Sequence, residues 1–90
     1  MLDARYTAKF KRDYKTVKSR GYDAKLLKEA IVLLVEEQPL PQKYRDHALK
    51  GDYAGHRECH ITPDWLLIYR IEQSLLILEL TRTGTHSDLF

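Results

Sequence analysis

The 90-residue sequence predicts a single α+β domain, residues 1–90, with two helices packed on one face of a mostly antiparallel sheet. Three observations carry this. Apolar residues recur at helical spacing in two adjacent segments before residue 36. Strand-like runs separated by turn residues follow residue 54. A further short strand candidate precedes both helices.

The elements follow in order. Leu2–Tyr6 reads as a short edge strand. Thr7 can cap a helix whose apolar positions Phe10, Tyr14 and Val17 fall at i, i+4 and i+7, and Gly21 ends it. Asp23 can cap a second helix with Leu27, Ala30, Ile31 and Leu34 on one stripe; Pro39 and Pro41 stop it. The short connection makes the pair an antiparallel hairpin. Residues 40–54 read as a polar loop containing Asp46 and His47. Gly55–Ile61 then turns through Thr62-Pro63-Asp64 into Trp65–Ile71, and Glu72-Gln73-Ser74 turns into Leu75–Leu80. The last two strands are nearly continuous in apolar residues, which predicts central positions.

Composition narrows the function classes. Hydrophobic residues make up 43% and charged residues 31%, as in ordinary globular domains. No apolar run approaches the roughly 18 residues of a membrane span. Charged residues follow Met1 closely (Asp3, Arg5, Lys9), so no secretory signal is expected. Cys59 is the sole cysteine, which excludes an intrachain disulfide and agrees with a reducing cytoplasm. The net charge of +2 hides an asymmetry: residues 1–28 hold nine Lys or Arg against three Asp, and the rest hold six basic against ten acidic groups. A basic N-terminal region points to a polyanion or an acidic partner, or else to a solvated helix face.

All four histidines, His47, His56, His60 and His86, lie in the second half. On the strand Gly55–Ile61, His56, Glu58 and His60 share one face while Arg57, Cys59 and Ile61 share the other. Cys59 and Ile61 suit a core face, so Glu58 and His60 are expected to be accessible, with Asp64 just beyond at the turn. Cleavage of RNA through the neighbouring 2′-hydroxyl needs a base, an acid and groups that steady the charge on phosphorus. Histidine titrates near neutrality and suits the first two roles. Arginine forks onto phosphate oxygens. His60, His86 and Arg82 are chemically sufficient, and Phe90 can stack on a base. Each also has a plainer reading: histidines are often structural, Asp64 can be a turn residue, and Arg57 can pair with a carboxylate. Tyr6, Tyr14, Trp65 and Tyr69 suit the core or its edge better than base stacking. A metal site is a rival, because His47, Cys59, His60, Asp64 and His86 are competent ligands. Yet no C-x-x-C or H-E-x-x-H spacing occurs, and adjacent Cys59 and His60 point to opposite faces, so no metal or other cofactor is expected.

Three separated signatures resemble the YafQ branch of the RelE/ParE toxin superfamily. They are Asp46-His47-Ala48-Leu49-Lys50-Gly51, Gly55 to Ile61 with Pro63-Asp64-Trp65-Leu66-Leu67-Ile68-Tyr69, and Arg82 to Phe90. The element order fits over nearly the whole chain. The resemblance implies an mRNA interferase: the toxin of a type II toxin–antitoxin pair, cutting mRNA on the ribosome without a metal and restrained by a cognate antitoxin. By similarity, His47, His60, Asp64 and His86 take the positions of catalytic acid, base and supporting groups, with His60 favoured as base and His86 as acid. Glu58 stands where the branch more often has Asp. Arg82 matches a phosphate-contacting arginine and Phe90 an RNA-placing aromatic, and Arg57 and Lys50 are further RNA-binding candidates. Two other readings use the same fold: a non-catalytic ParE-like toxin directed at gyrase, which lacks this histidine set, and a plain nucleic-acid-binding module.

Overall fold

Side-chain caps begin both helices of the computed structural model, which describes residues 1–90. Thr7 Oγ1 accepts from the Phe10 N–H at 2.9 Å, and α1 runs over Ala8–Ser19. Asp23 Oδ1 accepts from the Lys25 N–H at 3.0 Å, and α2 runs over Ala24–Val35. Such caps each stabilise a helix end by about 1 kcal/mol. Gly21, at φ +85°, gives the left-handed residue that turns one helix into the next.

Five strands form one sheet: β1 (Asp3–Tyr6), β2 (His47–Ala48), β3 (Arg57–Thr62), β4 (Trp65–Glu72) and β5 (Ile77–Gly84), in the order β1-β5-β4-β3-β2. β1 is an edge strand, parallel to β5; the other pairings are antiparallel. β4 and β5 are interior, as their apolar runs predict. The helices bury Phe10, Val17, Leu27, Ala30 and Leu34 against Cys59, Leu67, Tyr69, Leu78 and Leu80 on one sheet face.

Three expectations about the elements are corrected. The loop at 40–54 contains the two-residue strand β2, flanked by short 3-10 turns at Gln42–Tyr44 and Gly51–Tyr53. The last strand is not 75–80 but Ile77–Gly84, and a one-turn helix α3 (His86–Leu89) follows it. Polar residues 81–83 remain in the sheet because each finds a partner. β1 pairs with β5 only as far as Leu80, and helix-side groups then replace the missing strand. Thr7 Oγ1 donates to the Thr81 carbonyl at 2.7 Å, and Asp13 accepts from the Thr83 N–H at 3.1 Å. Thr83, itself buried, takes a hydrogen bond from Trp65 Nε1 at 2.8 Å. Finally, the strand expected from Gly55 begins at Arg57, so His56 lies just before it.

The sheet face away from the helices is also partly covered. Leu66, Ile68 and Leu89 form a second, small apolar cluster with Leu49 and Tyr53 around it. All five residues Trp65–Tyr69 of β4 are therefore buried, whichever way they point. Glu58, paired with Ile68 across the strands and flanked by the imidazoles of His47 and His60, is 6% exposed. The expectation that Glu58 is accessible fails because the alternation test assumed only one covered face.

Candidate active site

Strand alternation and one turn bring the site together. Glu58 and His60 project from β3 on the face opposite Cys59; Asp64 sits at the tight turn into β4; His86 opens α3 behind the Thr85 cap. Glu58, His60, Asp64 and His86 line one open cleft of about 450 Å³, with Tyr22, Leu66 and Ser87 among its walls. The ring of Tyr22 packs on buried Trp65 at 5.1 Å, which makes this wall rigid.

His47 joins through Glu58. Its Nε2 lies 3.5 Å from Glu58 Oε1, and His60 Nε2 lies 3.8 Å from the same oxygen. The two imidazole rings are 6.4 Å apart. Each presents Nε2 for a stated reason. His47 Nδ1 is 2.7 Å from the Arg45 carbonyl and His60 Nδ1 is 3.3 Å from that of Pro63. A carbonyl only accepts, so both Nδ1 atoms carry hydrogen and both Nε2 atoms face the carboxylate. Either imidazole, when protonated, forms an ion pair with Glu58.

α3 is fastened on two sides. Thr85 and Asp88 form a reciprocal capping box, and Arg20, the residue just after α1, grips Asp88 with two hydrogen bonds of 2.6 and 3.0 Å. That guanidinium holds the Asp88 carboxyl well below the usual carboxylate range. Gly84 is required here: a Cβ at this position would meet Asp88 Oδ2 at 2.9 Å. Beyond His86, the ring of Phe90 stacks on the imidazole at 4.9 Å. Tyr53 meets Phe90 edge-on at 5.8 Å and His56 edge-on at 5.8 Å. Phe90 is 56% exposed, so this aromatic corner is open to solvent.

The remaining predicted residues stand apart from the cleft. Arg82 is clamped by Asp13 through bonds of 2.7 and 3.0 Å, and the carboxylate raises its pKa further. Arg57 points to the helix-covered face and pairs with Asp46 at 3.0 and 3.1 Å. Lys50 is exposed and borders the Gly51–Tyr53 turn. His56 reaches Glu79 at 3.9 Å instead of the cleft. Two residues with evident structural parts were not singled out from sequence, Tyr53 and Asp13. An isolated tyrosine and an isolated aspartate carry no spacing signal, and only the fold places them beside Phe90 and Arg82.

Fold and site together define a small bacterial toxin domain. The family described as "Bacterial toxin of type II toxin-antitoxin system, YafQ" matches residues 2–90. The chain belongs to the YafQ toxin family. It is 42% identical over 89 residues to the mRNA interferase toxin YafQ of Escherichia coli (strain K12), covering 98% of this chain and 95% of that protein. Its fold is that of the YafQ crystal structure from E. coli BL21(DE3), with a TM-score of 0.93 at 37% identity, covering 100% of this chain and 99% of the other. A metal-bound toxin from Helicobacter pylori superposes with a TM-score of 0.94 at 46% identity, each chain fully covered. The E. coli DinJ–YafQ complex contains a chain matched at 38% identity and a TM-score of 0.91, covering 100% of this chain and 99% of that one.

Proposed function

We propose that this chain is a ribosome-dependent endoribonuclease that cuts mRNA by metal-independent acid–base catalysis. The observation that carries the reading is the gathering of His60, Asp64, His86 and Glu58 around one open cleft. In the proposed step, His60 Nε2 takes the proton of a 2′-hydroxyl as its oxygen bonds to phosphorus. The bond from phosphorus to the 5′-oxygen breaks, and His86 donates a proton to that oxygen. The products are a 2′,3′-cyclic phosphate and a 5′-hydroxyl. Glu58 steadies whichever neighbouring imidazole is charged, and Asp64 adds a carboxylate at the cleft mouth. Phe90 and Tyr53 offer a right-angled aromatic seat for a base.

Arg82 and Arg57 stay as RNA-contact candidates only if RNA displaces their carboxylates; Lys50 needs no such exchange. The mechanism uses no metal. Cleavage is therefore expected to survive EDTA. A cognate antitoxin is the expected protein partner, in keeping with the E. coli complex, and the cytoplasm is the expected compartment. No helix is long and apolar enough to cross a membrane.

Translating ribosomes incubated with the protein and with His86→Ala test the reading. Message cut by the wild type and not by the variant supports it. Intact message with poisoned gyrase would favour the ParE-like alternative, and slowed translation without cuts a simple binding role.

A further inference from the structure

We propose that Asp46 is a positioning residue, whose carboxylate is bolted to the helix side of the sheet and thereby aims His47 at Glu58 on the opposite side. The inference rests on the active-site reading above and adds a residue to it. β2 is only two residues long and lies at the sheet edge, so its ladder to β3 is a weak hold. The chain enters β2 through Arg45, a non-glycine residue in the left-handed region at φ 48°, a conformation that costs about 1–2 kcal/mol. Something must fix this segment, and Asp46 has the contacts to do so.

One Asp46 oxygen, Oδ2, accepts from Arg57 Nε at 3.1 Å and from Nη2 at 3.0 Å. The other, Oδ1, accepts from the hydroxyl of Tyr69. Arg57 and Tyr69 are direct cross-strand partners on β3 and β4, and the Tyr69 residue is 2% exposed. The anchor is therefore two strands deep and rigid. Burial, then the bond to Asp46, pushes the Tyr69 hydroxyl up, so it remains a donor. With Asp46 pinned to one face, period-two alternation turns His47 to the other. There its Nδ1–H meets the Arg45 carbonyl and its Nε2 meets Glu58. Arg57 is on this account a strut for Asp46, not a free phosphate ligand.

The test compares wild type, Asp46→Ala, Tyr69→Phe, His47→Ala and the double variant Asp46→Ala/His47→Ala. Imidazole ¹H–¹⁵N spectra report ring tautomers, and single-turnover cleavage of ribosome-bound message reports function. In the wild type, His47 should show the Nδ1–H form. Asp46→Ala should abolish that signature while leaving the His86 spectrum unchanged. It should slow cleavage by about tenfold or more, as expected when a group that aids proton transfer is misplaced, with little change in KM. On the His47→Ala background, Asp46→Ala should cost nothing further, since residues acting as one unit are non-additive. Tyr69→Phe, which removes one hydroxyl, should move both readouts in the same direction by less, and it serves if Asp46→Ala does not fold. An unchanged His47 spectrum, or an equal loss in both backgrounds, overturns the proposal. Should His47→Ala cleave like wild type, the active-site role of His47 falls, and the spectra alone decide whether Asp46 positions it.

Discussion

At the scale of single residues, geometry separates histidines that composition treats alike. His60 and His86 line the cleft, whereas His56 is turned towards Glu79 and Tyr53. A positioned acid or base contributes about 10²–10⁴ in rate. His60→Ala and His86→Ala are therefore each expected to slow single-turnover cleavage by at least about 10² while circular dichroism stays native. His56→Ala should cleave nearly as wild type. Wild-type rates in both of the first two variants would end the acid–base mechanism. Cys59 gives a second, independent expectation. Burial pushes its thiol up to about 12, and it is 0% exposed. The thiolate is the reactive form. Native protein at pH 8 should resist iodoacetamide, and urea should expose one alkylatable thiol; rapid native labelling would contradict the packing of β3.

At the scale of elements, the histidine-bearing turn α3 shows how a short segment is held. A four-residue helix has no stability of its own, so its capping box, the Arg20–Asp88 pair and the Leu89 contact must hold it. Because Arg20 keeps the Asp88 carboxyl low, the pair stabilises the fold above about pH 4, where an unfolded carboxylate is ionised. That contribution fades as acid protonates Asp88 in the folded state. In urea titrations, Asp88→Asn should unfold at lower urea than wild type at pH 7, and the gap should narrow progressively below about pH 4. A gap independent of pH would deny the pair this role. These elements also show what a sequence carries openly. Thr7, Asp23, Gly21 and the apolar spacing of α1 and α2 are local signals, and they place both helix starts and the end of α1 within a residue or two, while α2 ends at Val35, ahead of the expected stop at Pro39. The family signatures likewise single out His47, His60, Asp64 and His86, four residues that the fold gathers at one end of the sheet. What stayed hidden depends on distant partners. Thr81 to Thr83 look like loop until Thr7 and Asp13 complete their hydrogen bonds, and Glu58 looks exposed until the second sheet face is also covered.

Over the whole molecule, charge and topology divide the labour. Asp13 and Asp88 engage Arg82 and Arg20, while Lys11, Lys15, Lys18 and Lys28 rim a groove floored by Tyr6, Phe10, Tyr14, Leu27 and Ile31. Charge-reversing pairs among Lys9, Lys11, Arg12, Lys15 and Lys18 should weaken ribosome association. Each lost contact to single-stranded RNA phosphate should flatten the salt dependence by about 0.7. An unchanged salt slope would leave this face to a protein partner. The pairing of β1 with β5 has a consequence in time. Asp3 lies beside Ile77 and Tyr6 beside Leu80, so the first strand made waits for the last before it has a neighbour. His86 and Phe90 are synthesised later still. A nascent chain emerging from the ribosome thus carries His47, Glu58 and His60 without the sheet that aligns them or the turn that completes the cleft. The order of synthesis thus leaves the cleft unassembled until the final strand takes its place between β1 and β4.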